Sequence, residues 1–163
     1  IVFLGGLGEI GRNCMAIEQG AADDPNRTIM LIDCGLMFPE ANMHGVDLIL
    51  PDFTYLRENA NRIQALMLTH GHEDHVGAIQ YLLRDHDGIG DLRDDPLPIY
   101  GSRLALGIAR NRIEEAGLMP KTDMRSVGDG ETIEVGALLV EFIPVTHSVP
   151  HAQAIAFHTS QCF

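Results

Sequence analysis

Basic residues are scarce in this chain: 11 Lys and Arg stand against 23 Asp and Glu, giving a formal net charge of −12 with the histidines neutral. So acidic a composition argues against general nucleic-acid binding by the surface as a whole. It leaves room for a nuclease, because metal ions held at one site add positive charge locally. No run of about 18 apolar residues occurs, so no segment reads as a membrane-spanning helix. The opening Ile1-Val2-Phe3-Leu4-Gly5 has no basic stretch and is too short for a secretory signal. Cysteine is limited to Cys14, Cys34 and Cys162, with neither CxxC nor zinc-ribbon spacing. That usage fits a reducing compartment, the cytoplasm, and small buried hydrophobes. Internal repeats and low-complexity segments are also lacking.

What is present suffices for one domain over residues 1–163 with a sizeable core, since 45% of the residues are hydrophobic. The chain starts without Met inside an apolar run and stops at Gln161-Cys162-Phe163 without a terminal element, so it is expected to be a fragment of a longer protein.

The most informative stretch is Thr69-His70-Gly71-His72-Glu73-Asp74-His75-Val76. Neutral imidazole and carboxylate are the groups that Zn²⁺, Mn²⁺ or Fe take as ligands. His70, His72, Asp74 and His75 qualify directly, with Glu73 a fifth candidate by chemistry. One ion does not easily use all four at this spacing. Two ions about 3.5–4 Å apart, each taking a pair and completed from elsewhere, is the simplest arrangement. The plain alternative is a polar loop with scattered histidines, but three His and an Asp within six residues are far from chance.

Read in order, Ile1 to Leu4 is a strand, followed by the glycine-rich Gly5 to Asn13. Gly6-x-Gly8-x-x-Gly11 matches the dinucleotide-binding fingerprint. Ile10, Cys14, Ile17 and Ala21 then fall at helical spacing, and Asp33 closes a second strand 22 residues after Gly11. An NAD(P)-binding oxidoreductase is therefore one reading. The competing reading makes 13–18 a strand and 21–27 a hairpin loop with turn chemistry at Asp23-Asp24-Pro25-Asn26. The residues alone do not separate the two. Asp33 is either a turn aspartate or a buried carboxylate that orients a metal ligand. His44, in the loop 36–52, reads as exposed.

A short helix is expected over 53–62 and a strand over 63–68, so the histidine motif hangs from a strand end, where α/β folds build sites. One helix follows through Val76, Ile79, Leu82 and Leu83 to about Arg84, and His86 beyond it reads as surface. Residues 97–100 suggest a strand. Residues 103–116 suggest an amphipathic helix with Leu104, Ile108 and Ile113 on one side, stopped by Gly117. Arg103, Arg110 and Arg112 are its basic cluster, read as a solvated face or an RNA-backbone contact. Residues 127–146 alternate as a hairpin turning at Asp129-Gly130 and Gly136. Its long strand delivers His147, a third histidine for the ion of His70 and His72. His151 is a weaker candidate, and 154–158 begins another strand.

Gly5 to Asn13, Asp33-Cys34-Gly35-Leu36-Met37-Phe38-Pro39, Gly45 to Phe53, Leu68 to Ile79 and Thr146-His147-Ser148-Val149-Pro150 together resemble the bacterial ribonuclease J family. That family belongs to the β-CASP group of the metallo-β-lactamase superfamily, whose signature is HxHxDH. The resemblance runs the length of the chain. It implies an α/β fold, the N-terminal portion of a metallo-β-lactamase αββα sandwich, in which the glycine loop joins strands and binds no dinucleotide. It implies two divalent metal ions, Zn²⁺ first and Mn²⁺ second. His70, His72 and His147 would hold one ion, and Asp74 and His75 the other as the catalytic pair. A bridging Asp, a last His and the β-CASP domain would lie beyond Phe163. The expected activity is hydrolysis of RNA phosphodiester bonds, endonucleolytic and 5′-to-3′ exonucleolytic, in RNA maturation and decay. RNA would be the substrate, the whole protein cytoplasmic and a homo-oligomer. Glu73 drops out as a ligand in that pattern. One departure is His151, where the family commonly carries an acidic residue. The other readings are a hydrolase of ester, thiolester or amide bonds, and a non-catalytic metal-binding fragment.

Overall fold

Two short antiparallel ladders open the structure. In the computed structural model, which describes residues 1–21, 24 and 27–159, β1 (Val2–Gly5) leads through the glycine-rich loop into β2 (Cys14–Gln19). β2 pairs antiparallel with both β1 and β3 (Thr28–Ile32). Buried Cys14 and Ala16 alternate with half-buried Met15 and Ile17, which is a strand's period of two. The dinucleotide reading is thereby overturned: Cys14 and Ile17 sit on a strand, and no helix N-terminus stands behind Gly6-x-Gly8-x-x-Gly11 to receive a pyrophosphate. Of the turn read at residues 23–26, only Asp24 lies within the described residues; Cys162 lies outside them.

The sheet then changes to parallel pairing. β3 pairs with β4 (Ile63–Met67), β4 with β5 (Leu97–Gly101) and β5 with β6 (Thr122–Ser126), giving the order β1-β2-β3-β4-β5-β6. The expected helix before β4 is α1 (Thr54–Glu58) followed by a 3₁₀ turn, Ala60–Arg62. β6 has one apolar residue, Met124, so no pattern announces it; its five-residue ladder with β5 makes it a strand. Leu66, Met67 and Leu68 are wholly buried. Each such side chain contributes about 1.5–3 kcal/mol, which pins the segment that delivers Thr69.

A second sheet comprises β7 (Thr132–Val135), β8 (Leu138–Pro144) and β9 (Gln153–His158), with the first pair turning at Gly136 as expected. The two sheets pack face to face. Met30, Ala65, Met67 and Tyr100 of the first meet Val135, Leu138, Val140 and Phe142 of the second. The other face of the large sheet, including Ile29, Leu31, Leu66 and Ile99, is covered by helices. The described residues therefore supply a helical layer and two sheets of an αββα sandwich.

The longest of these helices is α4 (Arg103–Glu115). Ser102 caps its start, Oγ accepting from the Ala105 N–H at 3.3 Å, and Gly117 ends it at φ +70. Its buried face is Ala105, Leu106, Ala109 and Ile113; of the expected stripe Ile113 is buried and Ile108 packs half-buried against the core, while Leu104 is exposed.

Candidate metal centre

The carboxyl ends of β3, β4 and β8 converge on one edge of the sandwich, bringing Asp33, the 69–76 loop and the 146–151 loop together. The expected single helix after the histidine motif is instead two turns, α2 (Glu73–Val76) and α3 (Ile79–Leu82). The backbone shows why. A continuous helix would send the Ala78 N–H to the Asp74 carbonyl. Here Ala78 N–H goes to the Cys34 carbonyl at 2.9 Å, and the Asp74 carbonyl takes the Asn13 N–H at 2.9 Å. The His75 carbonyl takes the Cys34 N–H at 2.7 Å, and the Glu73 carbonyl the Leu36 N–H at 3.1 Å. The segment 34–36 is thus inserted into the helical ladder and locks the motif to the end of β3. Only glycine fits at its middle, because a Cβ on Gly35 would lie 1.6 Å from the Asp74 carbonyl oxygen.

Three of the expected ligands form a triangle. His70 Nε2 lies 3.0 Å from His72 Nδ1 and 3.1 Å from His147 Nε2, and the ligand atoms of all three fall within 4.8 Å of one another. Nitrogens held at roughly 2.0–2.1 Å by a tetrahedral zinc stand about 3.3 Å apart, so the two His70 spacings are near those of an ion that takes imidazole. His70 is buried, His72 half-buried and His147 exposed, which leaves the triangle open on one side.

The proton positions favour ligation. The Thr69 hydroxyl donates to Asp33 Oδ2 at 2.7 Å. Having one hydrogen, it can only accept from His70 Nδ1, 2.9 Å away, and His70 Nε2 is left as a lone pair facing the triangle. Burial, reinforced by the neighbouring His75, His147 and His72, lowers the His70 pKa to about 4. His70 is therefore neutral, as a ligand must be, near pH 7.

Asp74 and His75 lie beside this triangle, with the rings of His70 and His75 4.0 Å apart between centroids. Asp33 is 4% exposed, and its carboxylate accepts from Thr69 N–H at 2.8 Å and from His75 Nδ1 at 2.7 Å. His75 Nε2 faces Asp74 Oδ2 at 3.5 Å. Burial alone would lower the His75 pKa, but the hydrogen bond and charge of Asp33, with the charge of Asp74, outweigh it and raise the value. Asp33 is thus a buried carboxylate bonded to Thr69 and His75, and its left-handed backbone, φ +56, is a conformation Asp tolerates.

The remaining candidates separate cleanly. Glu73 points away and pairs with Arg112 of α4. Arg110 pairs with Glu114 at 3.6 Å. His44, His86 and His151 are exposed, and none joins the triangle. Two residues without an individual signal in the sequence take part. Asn13 touches both Asp74 and His75 through its amide, and the Gln153 N–H holds the Thr69 carbonyl at 2.9 Å, tying β9 to the motif. The polar end of a glycine-rich loop was a hint for Asn13; Gln153 offered none.

The family model of the metallo-beta-lactamase superfamily matches residues 7–156. Ribonuclease J of Synechocystis sp. is 44% identical over 161 residues, which are 98% of this chain and 23% of that protein. Ribonuclease J of Thermus thermophilus is 39% identical over 98% of this chain and 26% of its own length. Ribonuclease J 1 of Streptococcus pyogenes is 36% identical over 99% of this chain and 26% of its own length. The chain thus spans about a quarter of the length of these curated relatives. Among solved structures, a diphosphatase of the PhnP family aligns with a TM-score of 0.59 at 20% identity, covering 90% of this chain and 49% of its own. YhfI of Bacillus subtilis aligns at 0.56 and 18% identity, covering 95% of this chain and 53% of its own; both likenesses concern the fold.

Proposed function

The chain belongs to the metallo-β-lactamase superfamily, and from that premise we propose that it forms part of the catalytic core of a metal-dependent ribonuclease. The reaction is hydrolysis of RNA phosphodiester bonds, endonucleolytic and 5′-to-3′ exonucleolytic, in RNA maturation and decay. The observation that carries the reading is the convergence of His70, His72 and His147 in a chain 44% identical to a protein named ribonuclease J. In this reading those three histidines hold one divalent ion and Asp74 and His75 a second, Zn²⁺ being favoured by the imidazole-rich donors and Mn²⁺ the alternative. Ions bound there supply a water of lowered pKa and positive charge against the phosphate.

The chain's own residues prepare that chemistry. Asp33 fixes the tautomer of His75 directly and that of His70 through Thr69. The insertion of 34–36 holds Asp74 and His75 against β3, so the ligands need little reorganisation. Exposed His147 leaves an approach for a substrate strand. The whole protein is read as cytoplasmic, homo-oligomeric and completed by a β-CASP domain. The test is degradation of RNA by the whole natural protein. The His70→Ala variant is expected to lose activity on both internally cleavable and 5′-monophosphorylated RNA. Full activity in that variant overturns the proposal.

A further inference from the structure

We infer that Asn13 is a positioning residue for the Asp74–His75 half of the centre, an inference that rests on the two-ion reading above. Asn13 closes the glycine-rich loop just before β2. Its side-chain nitrogen lies 3.0 Å from the Asp74 carbonyl, 3.1 Å from Asp74 Oδ2 and 3.2 Å from His75 Nε2. All three are acceptors. The two Asp74 oxygens accept whatever the state of His75; in the neutral imidazole that metal ligation requires, Nδ1 donates to Asp33 and Nε2 presents its lone pair. Only the NH₂ end of the amide can face such a group, because the oxygen would oppose three acceptors at once. This fixes the amide orientation from the network.

Asn13 therefore touches the same two atoms, Asp74 Oδ2 and His75 Nε2, that a second ion would take. His75 Nε2 has one lone pair, so that contact gives way on loading. The Asp74 carboxylate has several, so the amide remains on it and holds its rotamer. The need for such a holder is visible in the exposure. The Asp74 side chain is 37% and the His75 side chain 22% accessible, against 6% for Asp33, so packing restrains Asp74 least and the hydrogen bond from Asn13 adds a restraint on it. The backbone of Asn13 anchors the loop independently of its side chain. Its N–H goes to the Asp74 carbonyl and its carbonyl accepts from Gly35 N–H, both at 2.9 Å. Removing the side chain leaves this backbone anchor in place.

The test uses the whole natural protein, stripped of metal and titrated with Zn²⁺ by calorimetry. In Asn13→Ala the first equivalent is expected to bind as in wild type and the second about 10–100-fold more weakly, the cost of losing an outer partner of a ligand. Second-equivalent affinity that is unchanged or tighter overturns the inference. A second readout is independent of ions. In metal-free protein the amide covers His75 Nε2, so Asn13→Ala is expected to speed diethyl pyrocarbonate modification of His75 several-fold relative to His147, scored by peptide mass spectrometry. If wild type takes one equivalent only, the two-ion reading fails and the modification rate decides alone; an unchanged His75 rate overturns the inference.

Discussion

Asp33 Oδ2 accepts the Nδ1–H of His75 at 2.7 Å, across 42 residues of sequence, and the same carboxylate holds Thr69 through its N–H and hydroxyl. One buried side chain thus restrains His75 directly and, through Thr69, His70. Asp33→Ala leaves three donors without that acceptor in a mostly buried place. Each buried, unmade hydrogen bond costs about 1–3 kcal/mol, with water recovering part of it at half-buried His75. We expect a loss of about 2–4 kcal/mol in urea unfolding of the metal-free protein. A roughly 10–100-fold weaker zinc affinity should accompany it. Unchanged stability would show that Asp33 is a turn residue only.

Gly35→Ala tests the insertion of 34–36 into the α2–α3 break. The new Cβ would sit 1.6 Å from the Asp74 carbonyl oxygen and 2.6 Å from His75 N, both backbone atoms that cannot swing aside. Overpacking costs about 1–3 kcal/mol where side chains can yield, and more where they cannot. The expected outcome is a loss of at least about 3 kcal/mol together with loss of tight zinc binding. The urea midpoint and a zinc titration would report the two effects.

The candidate ligands stood out in the sequence because their chemistry is local. HxHxDH needs no tertiary knowledge, and His147 followed from its place after an apolar strand. Strands with a near-continuous apolar run, such as β3 and β4, or with alternating burial, such as β8, were equally legible. The one-helix reading of 76–84 failed for a nonlocal reason: Cys34 and Asn13 take hydrogen bonds that a helix would otherwise make within itself. β6 failed because Asp123, Arg125 and Ser126 carry no apolar signal and depend on the ladder with β5. The glycine fingerprint misled for a related reason. Glycines that make close approaches look alike in sequence whether a phosphate or a neighbouring strand is what comes close.

The two histidines nearest Asp33 predict a pH profile with opposite limbs. The His70 pKa in the folded state, about 4, lies below its ordinary value of 6.5. Between those values the unfolded chain binds more protons, so stability from this group is lost as pH falls from about 6.5 toward 4. The His75 pKa is raised. Its contribution is complete below about 6.5 and is lost as pH rises through the raised value. In metal-free protein the combined contribution of these two groups peaks near pH 6.5. Urea midpoints across pH should show the acid limb flattening in His70→Asn and the alkaline limb flattening in His75→Asn.

Adjacent Glu73 and Asp74 offer the sharpest contrast. Both are carboxylates in the same motif, yet Glu73 pairs with Arg112 while Asp74 faces His75. The Glu73–Arg112 pair is 36% exposed on each side, a setting in which ion pairs contribute about 0–1 kcal/mol. Glu73→Gln is therefore expected to unfold within about 1 kcal/mol of wild type and to bind zinc unchanged. Asp74→Asn keeps the shape, and its backbone carbonyl still serves Asn13, so stability should again hold. In the whole natural protein, however, it removes the charge offered to a second ion. Zinc content measured by atomic emission after exhaustive dialysis is expected to fall from two equivalents to one in Asp74→Asn only. Equal loss in both variants would mean that Glu73 is a ligand after all and that its pairing with Arg112 gives way when metal arrives.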